Sequence, residues 1–167
     1  MSWNIQMCST SEHHAIGLAI NDASKAYHGV IPADCWKSPY MSDAELEAEI
    51  ADGVLFWGLS VRSALVGVMG LQHRDGVDLI RHSYVRRSWQ GKGIGCALLE
   101  KTERYSKAQI LVGTWAQATW AIGFYQANGY RLLDNDKKNE LLDQYWQIPA
   151  RQARASVVLA KSLAAVN

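Results

Sequence analysis

Long apolar runs are missing from this sequence. No stretch approaches the roughly 20 residues that a membrane-crossing helix needs, so no membrane span is expected. Cysteine is scarce. Cys8, Cys35 and Cys96 are far apart, odd in number and in no CxxC pair, which argues against a disulfide framework or a zinc site and fits reduced thiols in a cytoplasm. A charge excess of either sign is also missing. Seventeen Lys and Arg stand against sixteen Asp and Glu, so the net charge of +1 implies no general attraction to nucleic acid or an anionic membrane. The opening "MSWNIQMCST" lacks a basic region followed by an apolar core, so no secretory signal is expected. There is no repeat, no low-complexity tract and no Pro/Gly/Ser-rich linker. One domain over residues 1–167 is the expectation. Phenylalanine is rare, with two residues, against seven Trp and seven Tyr, whose first use is core and cleft packing.

What is present reads as alternating strands and helices. Trp3 to Cys8 alternates weakly, as a first strand would. Glu12 to Tyr27 carries Ile16, Leu18, Ala19, Ile20 and Ala23 at helical spacing. "HGVIPADCWKSPYMS" is irregular, broken by Pro32 and Pro39. "SDAELEAEIADG" predicts a short helix, with Ser42 as its N-cap, Glu45 three residues on and Gly53 at its end. "VLFWGLSV" and "ALVGVMGLQH" read as antiparallel strands about a turn at Arg62–Ser63. The turn signal "RDG" then predicts "VDLIRHSYV" as a third meander strand. A helix is expected from about Ile94 to Lys107, with Ile94, Leu98 and Tyr105 on one face and Glu100/Arg104 and Glu103/Lys107 paired outside. "AQILVGTW" is a strand, "TWAIGFYQANG" a helix closed by Gly129, and "YRLL" a strand. "DNDKKNELLDQYW" is a short charged helix and "RASVVLAKS" the last strand. This order implies an α/β (α+β) chain with a mixed sheet and helices on its faces.

The third meander strand runs straight into Gln90-Gly91-Lys92-Gly93-Ile94-Gly95, and a helix leaves it. Exposed N–H groups and the helix dipole favour an anion there, and glycines let the backbone approach it closely. A Walker loop needs G-x-x-x-x-G-K-[ST], and Lys92 is not placed for it. A dinucleotide fingerprint needs G-x-G-x-x-G, but Cys96 is sixth from Gly91 and no acid lies near residue 115. A glycine-rich turn without a ligand is the alternative. Cys96 sits where a thiol would acidify, but it has no evident paired histidine, so it reads as packing.

Here the residues resemble a known family. Q/R-x-x-G-x-G/A after a strand is the acetyl-CoA pyrophosphate loop of the GCN5-related N-acetyltransferase (GNAT) family, and Gln90, Gly93 and Gly95 match it. Val85, five residues before Gln90, falls where that family has the strand residue that bonds the pantetheine arm. In "ATWAIGFYQANGYRLL", Phe124, Tyr125, Gly129 and Tyr130 match the family's aromatic-Tyr pair followed by Gly and another aromatic. The end "YWQIPARQARASVVL" resembles a bacterial subgroup of the family. One position departs: the family often has Asn seven residues before the Tyr, and this chain has Ala118, with Gln117 and Thr119 beside it.

The resemblance implies a central, mostly antiparallel GNAT-type sheet and direct transfer of an acetyl group from acetyl-CoA to a primary amine. The acceptor would be a small molecule or a peptide. No metal and no covalent enzyme intermediate are implied, and a homodimer is one expectation for the assembly. A non-catalytic acyl-CoA-binding sensor and an O-acetyltransferase stay open beside it. The resemblance places the cofactor on Val85, Gln90, Gly91, Lys92, Gly93, Ile94 and Gly95, and Tyr125 as the acid for the thiolate, where the alternative is a core tyrosine.

A lysine-like amine, with pKa about 10.4, needs a base near pH 7. His82, three residues before Val85, is that candidate, against a hydrogen-bonded histidine on a sheet face; Asp78 and Glu49 follow it. Strict alternation puts Arg81 and His82 on opposite faces unless a bulge resets the parity. His13 and His14 are adjacent on a helix and read as surface, and His28 and His73 as loop residues. Arg81, Arg86, Arg87 and Lys92 read mostly as a solvated basic edge, some of them meeting phosphates. Trp36, Tyr40 and Trp57 line either the acceptor cleft or the core.

Overall fold

A computed structural model describes residues 3–163. Its strands are β1 (Ile5–Met7), β2 (Leu55–Val61), β3 (Ala64–Arg74), β4 (Val77–Val85), β5 (Gln109–Trp115), β6 (Arg131–Leu132) and β7 (Ser156–Lys161). Its helices are α1 (His13–Ala23), α2 (Asp43–Ala51), α3 (Ile94–Glu103), α4 (Thr119–Ala127), α5 (Asn135–Tyr145) and α6 (Ala150–Arg154). The described strands form a seven-stranded sheet in the order β1-β2-β3-β4-β5-β7-β6. Pairing is antiparallel at β1–β2, β2–β3, β5–β7 and β6–β7. This is the mixed, mostly antiparallel α/β arrangement expected from the sequence. Among the described residues no helix is long and apolar enough to cross a membrane.

The chain forms two compact units. One comprises the residues through Ala26, Lys37–His73 and Ile80–Ser106; the other comprises Tyr27–Trp36, Arg74–Leu79 and the residues from Lys107 onward.

In the first unit, Ile16, Ala19 and Ile20 of α1 and Leu46 of α2 pack on Val54, Phe56, Leu65 and Val68. The Ser42 cap is as expected: its hydroxyl accepts the Glu45 amide at 3.1 Å, relieving one orphan donor of α2. Arg62 and Ser63 both have positive φ, 51° and 67°, and Val61 pairs with Ala64. A two-residue hairpin turn imposes those angles even without Asn or Gly, because only that turn matches the strands' twist.

Gly70 of β3 is a point of close approach. A β-carbon there would lie 2.7 Å from the Arg81 carbonyl oxygen and 2.8 Å from Val54 Cγ1. The first neighbour is backbone and cannot swing aside. Gly70→Ala is therefore expected to lower stability by about 1–3 kcal/mol. Urea titration checks this: a midpoint equal to wild type would show that β3 and β4 have room to spare.

Helix α3 is shorter than the sequence pattern suggested. It ends at Glu103, before Lys107 completes the second i,i+4 spacing, while Glu100 and Arg104 do pair at 2.6 Å. Tyr105 lies beyond the helix, about half exposed at 46%, with its ring 4.8 Å from that of Trp57. It is not on the buried face, which Ile94, Leu98, Leu99 and Thr102 make.

In the second unit, Leu111 of β5, Leu141 and Leu142 of α5, and Val158 and Ala160 of β7 share a core with Val77 and Leu79. Asp134 caps α5 by accepting the Lys137 amide at 2.9 Å. Arg151 of α6 binds both carboxylate oxygens of Asp34 at 2.9 and 3.2 Å. That contact holds the Asp34 carboxyl below its usual range.

Candidate active site

The glycine loop lies wholly in the first unit. After Val85 the chain makes a 3₁₀ turn at Arg87–Trp89, and α3 starts at Ile94 with Gly93 as its N-cap. Gly91 and Gly93 have φ of 74° and 82°, the left-handed region that glycine enters without strain. A β-carbon at either would meet no atom within 4 Å, so the loop's face is open. The first loop-to-helix bond runs from the Ala97 amide to the Gly93 carbonyl at 3.1 Å. The amides before it lie ahead of the helical ladder, at the positive end of the helix dipole. Ile94 turns its side chain into the core, 1% exposed, while Gly91, Lys92 and Gly93 are exposed. Such a loop fits a diphosphate: backbone donors, open space and no carboxylate on the loop itself.

Gln90 does something the motif does not reveal. Its side-chain amide donates to the Val85 carbonyl at 3.0 Å, tying the loop back to the end of β4. The Arg86 amide bonds the Val66 carbonyl at 2.8 Å, which turns the main-chain groups of Val85 to the edge of β4 away from β3.

The base candidate sits four residues before Arg86. His82 has a φ of 54°, positive for a non-glycine residue inside a strand. That local kink overrides strict alternation, so Arg81 and His82 both reach Glu49 of α2. His82 Nε2 is hydrogen-bonded to Glu49 Oε2, and Arg81 Nη2 donates to Glu49 Oε1 at 3.1 Å. The ring of His82 lies nearly parallel to Phe56, 6.2 Å between centroids at 20°. Burial pushes the Glu49 carboxyl up, but the His82 hydrogen bond and the charges of His82 and Arg81 outweigh it and hold it below the usual range.

Tyr125 belongs to the second unit. It is 4% exposed on α4, with Phe124 and Tyr130 edge-on at 5.1 and 5.4 Å. Ala118 is the N-cap position of α4 and fully buried, with no side-chain cap.

The remaining candidates separate clearly. Asp78 is 2% exposed and accepts the Lys107 amide at 2.7 Å, a structural tie. His13 and His14 pair with Glu47 at 2.9 Å and Asp43 at 3.5 Å, bracing α1 against α2. Trp57 is 1% exposed and belongs to the core. Trp36 lies against His28, 5.1 Å between rings, and Tyr40 packs on the first unit's core. Arg86 Nε donates to the Leu65 carbonyl at 2.7 Å, so it anchors the chain as it leaves β4. Cys96 is exposed, which corrects the packing role expected for it: it lies outside the Ile94–Leu98 stripe. No disulfide joins the three cysteines, and burial first, then Glu12, pushes the Cys8 thiol up to about 12. Among the described residues no group of three or more His, Cys, Asp or Glu stands where it could hold a metal ion.

The Glu49–His82 contact joins residues 33 apart. One signal for it was in the sequence: Glu49 shares a helical face with Leu46 and Ile50, which pack on the core, and a carboxylate on that side needs a partner.

Residues 19–143 match the family model of the acetyltransferase (GNAT) domain, and the chain belongs to that family. No curated protein matches it. Among solved structures it is similar to the PaiA N-acetyltransferase of Thermoplasma acidophilum in complex with coenzyme A, at 19% identity, TM-score 0.74, over 98% of this chain and 100% of that one. It is similar to the ribosomal-protein-S18-alanine N-acetyltransferase of Escherichia coli at 15% identity, TM-score 0.70, over 99% and 97%. Similarity to the N-acetylglutamate synthase of Neisseria gonorrhoeae, complexed with coenzyme A and N-acetyl-glutamate, runs at 16% identity and TM-score 0.65, over 99% of this chain and 36% of that one.

Proposed function

We propose that this acetyltransferase moves the acetyl group of acetyl-CoA directly onto a primary amine of a small molecule or a peptide. The observation that carries the reading is the loop from Gln90 to Gly95: two left-handed glycines, open space beside both, and amides ahead of the α3 ladder. Those amides bind the cosubstrate's diphosphate, with Lys92 adding exposed positive charge. Val85, at the end of β4, takes the pantetheine arm by main-chain bonds. His82 accepts the amine's proton and Tyr125 protonates the departing thiolate, the second role resting on the family resemblance. The thioester is already activated, so most of the rate comes from positioning two substrates. Coenzyme A in two of the similar structures and N-acetyl transfer in the names of two support the reading. Cysteines outside any disulfide suit a reducing cytoplasm.

Thiol release from acetyl-CoA tests the acceptor, screened over amino acids, polyamines, aminoglycosides and peptides. The expected result is release that depends on one class of amine and saturates with it. Release only with hydroxyl acceptors would make the enzyme an O-acetyltransferase. Coenzyme A binding with no release under any acceptor would make the chain a sensor.

A further inference from the structure

The first unit carries a charged relay around Glu49, of which the acetyl-transfer reading uses only His82. It runs through three elements, α2, β3 and β4. Asp52, just past α2, accepts the Gln72 side-chain amide at its carboxylate, 3.1 Å, and at its carbonyl, 3.0 Å. Gln72 of β3 in turn accepts Arg81 Nη1 at 2.9 Å. Arg81 of β4 holds Glu49, and Glu49 holds His82. Every member is fixed by the next. The side chains of Arg81, His82 and Glu49 are 19%, 14% and 25% exposed, so solvent screens these contacts little. His82 is also confined by the Phe56 ring and by a backbone conformation unusual for a non-glycine residue. A surface ion pair would need none of this.

We propose that Glu49 is a positioning residue for His82, which fixes the neutral imidazole in its Nε2–H tautomer and leaves Nδ1 as the atom that takes the acceptor's proton. The inference rests on the reading of His82 as the base. A ring nitrogen facing a carboxylate carries the proton, and the other nitrogen keeps the lone pair. Arg81 serves one step back. Its guanidinium neutralises Glu49 on the oxygen away from His82, opposing Asp52, whose charge works against an ionised Glu49. Glu49 thus stays a carboxylate through the cycle.

The proton steps balance. The acceptor ammonium gives one proton to Nδ1, and the imidazolium formed still donates Nε2–H to Glu49. The amine lone pair then forms the C–N bond at the thioester carbonyl carbon as the C–S bond breaks. The second proton lost by nitrogen matches the one the thiolate gains, and His82 returns its own to water.

Two measurements on the full chain test this. Long-range ¹H–¹⁵N spectra at alkaline pH, with His82 assigned by its disappearance in His82→Gln, should show the Nε2–H pattern alone. In Glu49→Gln the side-chain amide can present either its oxygen or its NH₂, so the two tautomers should average. A wild-type ring in the Nδ1–H form, or already mixed, overturns the proposal. The second measurement is thiol release from acetyl-CoA with the amine selected by the screen. Glu49→Gln should lower kcat by roughly 10²-fold and leave the KM for acetyl-CoA within about twofold. An unchanged kcat overturns the proposal; a fall in melting temperature alone would show a purely structural contact. If wild type turns over no amine, the acetyl-transfer reading falls, while the spectra still decide how His82 is held.

Discussion

Gly93→Val should leave the chain unable to gain stability from coenzyme A, where wild type should gain about 2.7 kcal/mol at roughly one hundred times the dissociation constant. The reason is local. A β-carbon at Gly93 meets no protein atom within 4 Å, so the space it enters is the space a diphosphate would use. The backbone there has a φ of 82°, so a β-branched residue is also strained, by about 1–2 kcal/mol. Strain and lost binding must be separated, and the molecule supplies a control. Gly76, in the turn between β3 and β4, has a φ of 80° and equally open surroundings. Gly76→Val carries the same backbone cost far along the chain from the loop. Thermal unfolding with and without coenzyme A should show both variants less stable than wild type, with only Gly76→Val still shifted by the ligand. A full shift in Gly93→Val would mean that the loop amides bind nothing.

Tyr125→Phe should lower kcat by about 10²-fold, the usual scale for losing a positioned acid. Coenzyme A binding should persist. The ring sits 4% exposed between Phe124 and Tyr130, and phenylalanine keeps that edge-on packing. The missing hydroxyl costs stability only on the order of 1 kcal/mol. Single-turnover measurement isolates the chemical step. If kcat does not change, Tyr125 is a core tyrosine, the alternative its position on an amphipathic helix always allowed.

Local signals were legible wherever a short stretch determines its own geometry. The Ser42 cap, the Arg62–Ser63 turn and the stop at Gly129 all appear as read, since each depends on atoms within four residues. The glycine loop belongs with them in part: α3 leaves it as read, but a 3₁₀ turn at Arg87–Trp89 stands between β4 and Gln90. Failures came where a distant partner decides. Helix α3 stops at Glu103, and Lys107 instead gives its amide to Asp78, 29 residues earlier. The five-residue α6 follows Pro149 and is tied by Arg151 to Asp34, 117 residues away, so no periodicity announced it. "YRLL" gave only a two-residue strand, Arg131–Leu132, paired to β7. Placing Arg81 and His82 on one carboxylate needed the positive φ at His82, which the residue type itself disfavours.

The bond from the Gln90 side chain to the Val85 carbonyl changes when the loop's disorder is lost. A glycine-rich segment left to itself wanders, and capturing an anion with it would first mean freezing it, at about 1–2 kcal/mol for each residue stilled. Stapled at both ends, by Gln90 behind and by the buried Ile94 ahead, the segment is already still when the polypeptide has folded. The entropy is surrendered during folding, where the whole core compensates for it, and a visiting diphosphate meets a rigid rim and keeps the full strength of its contacts.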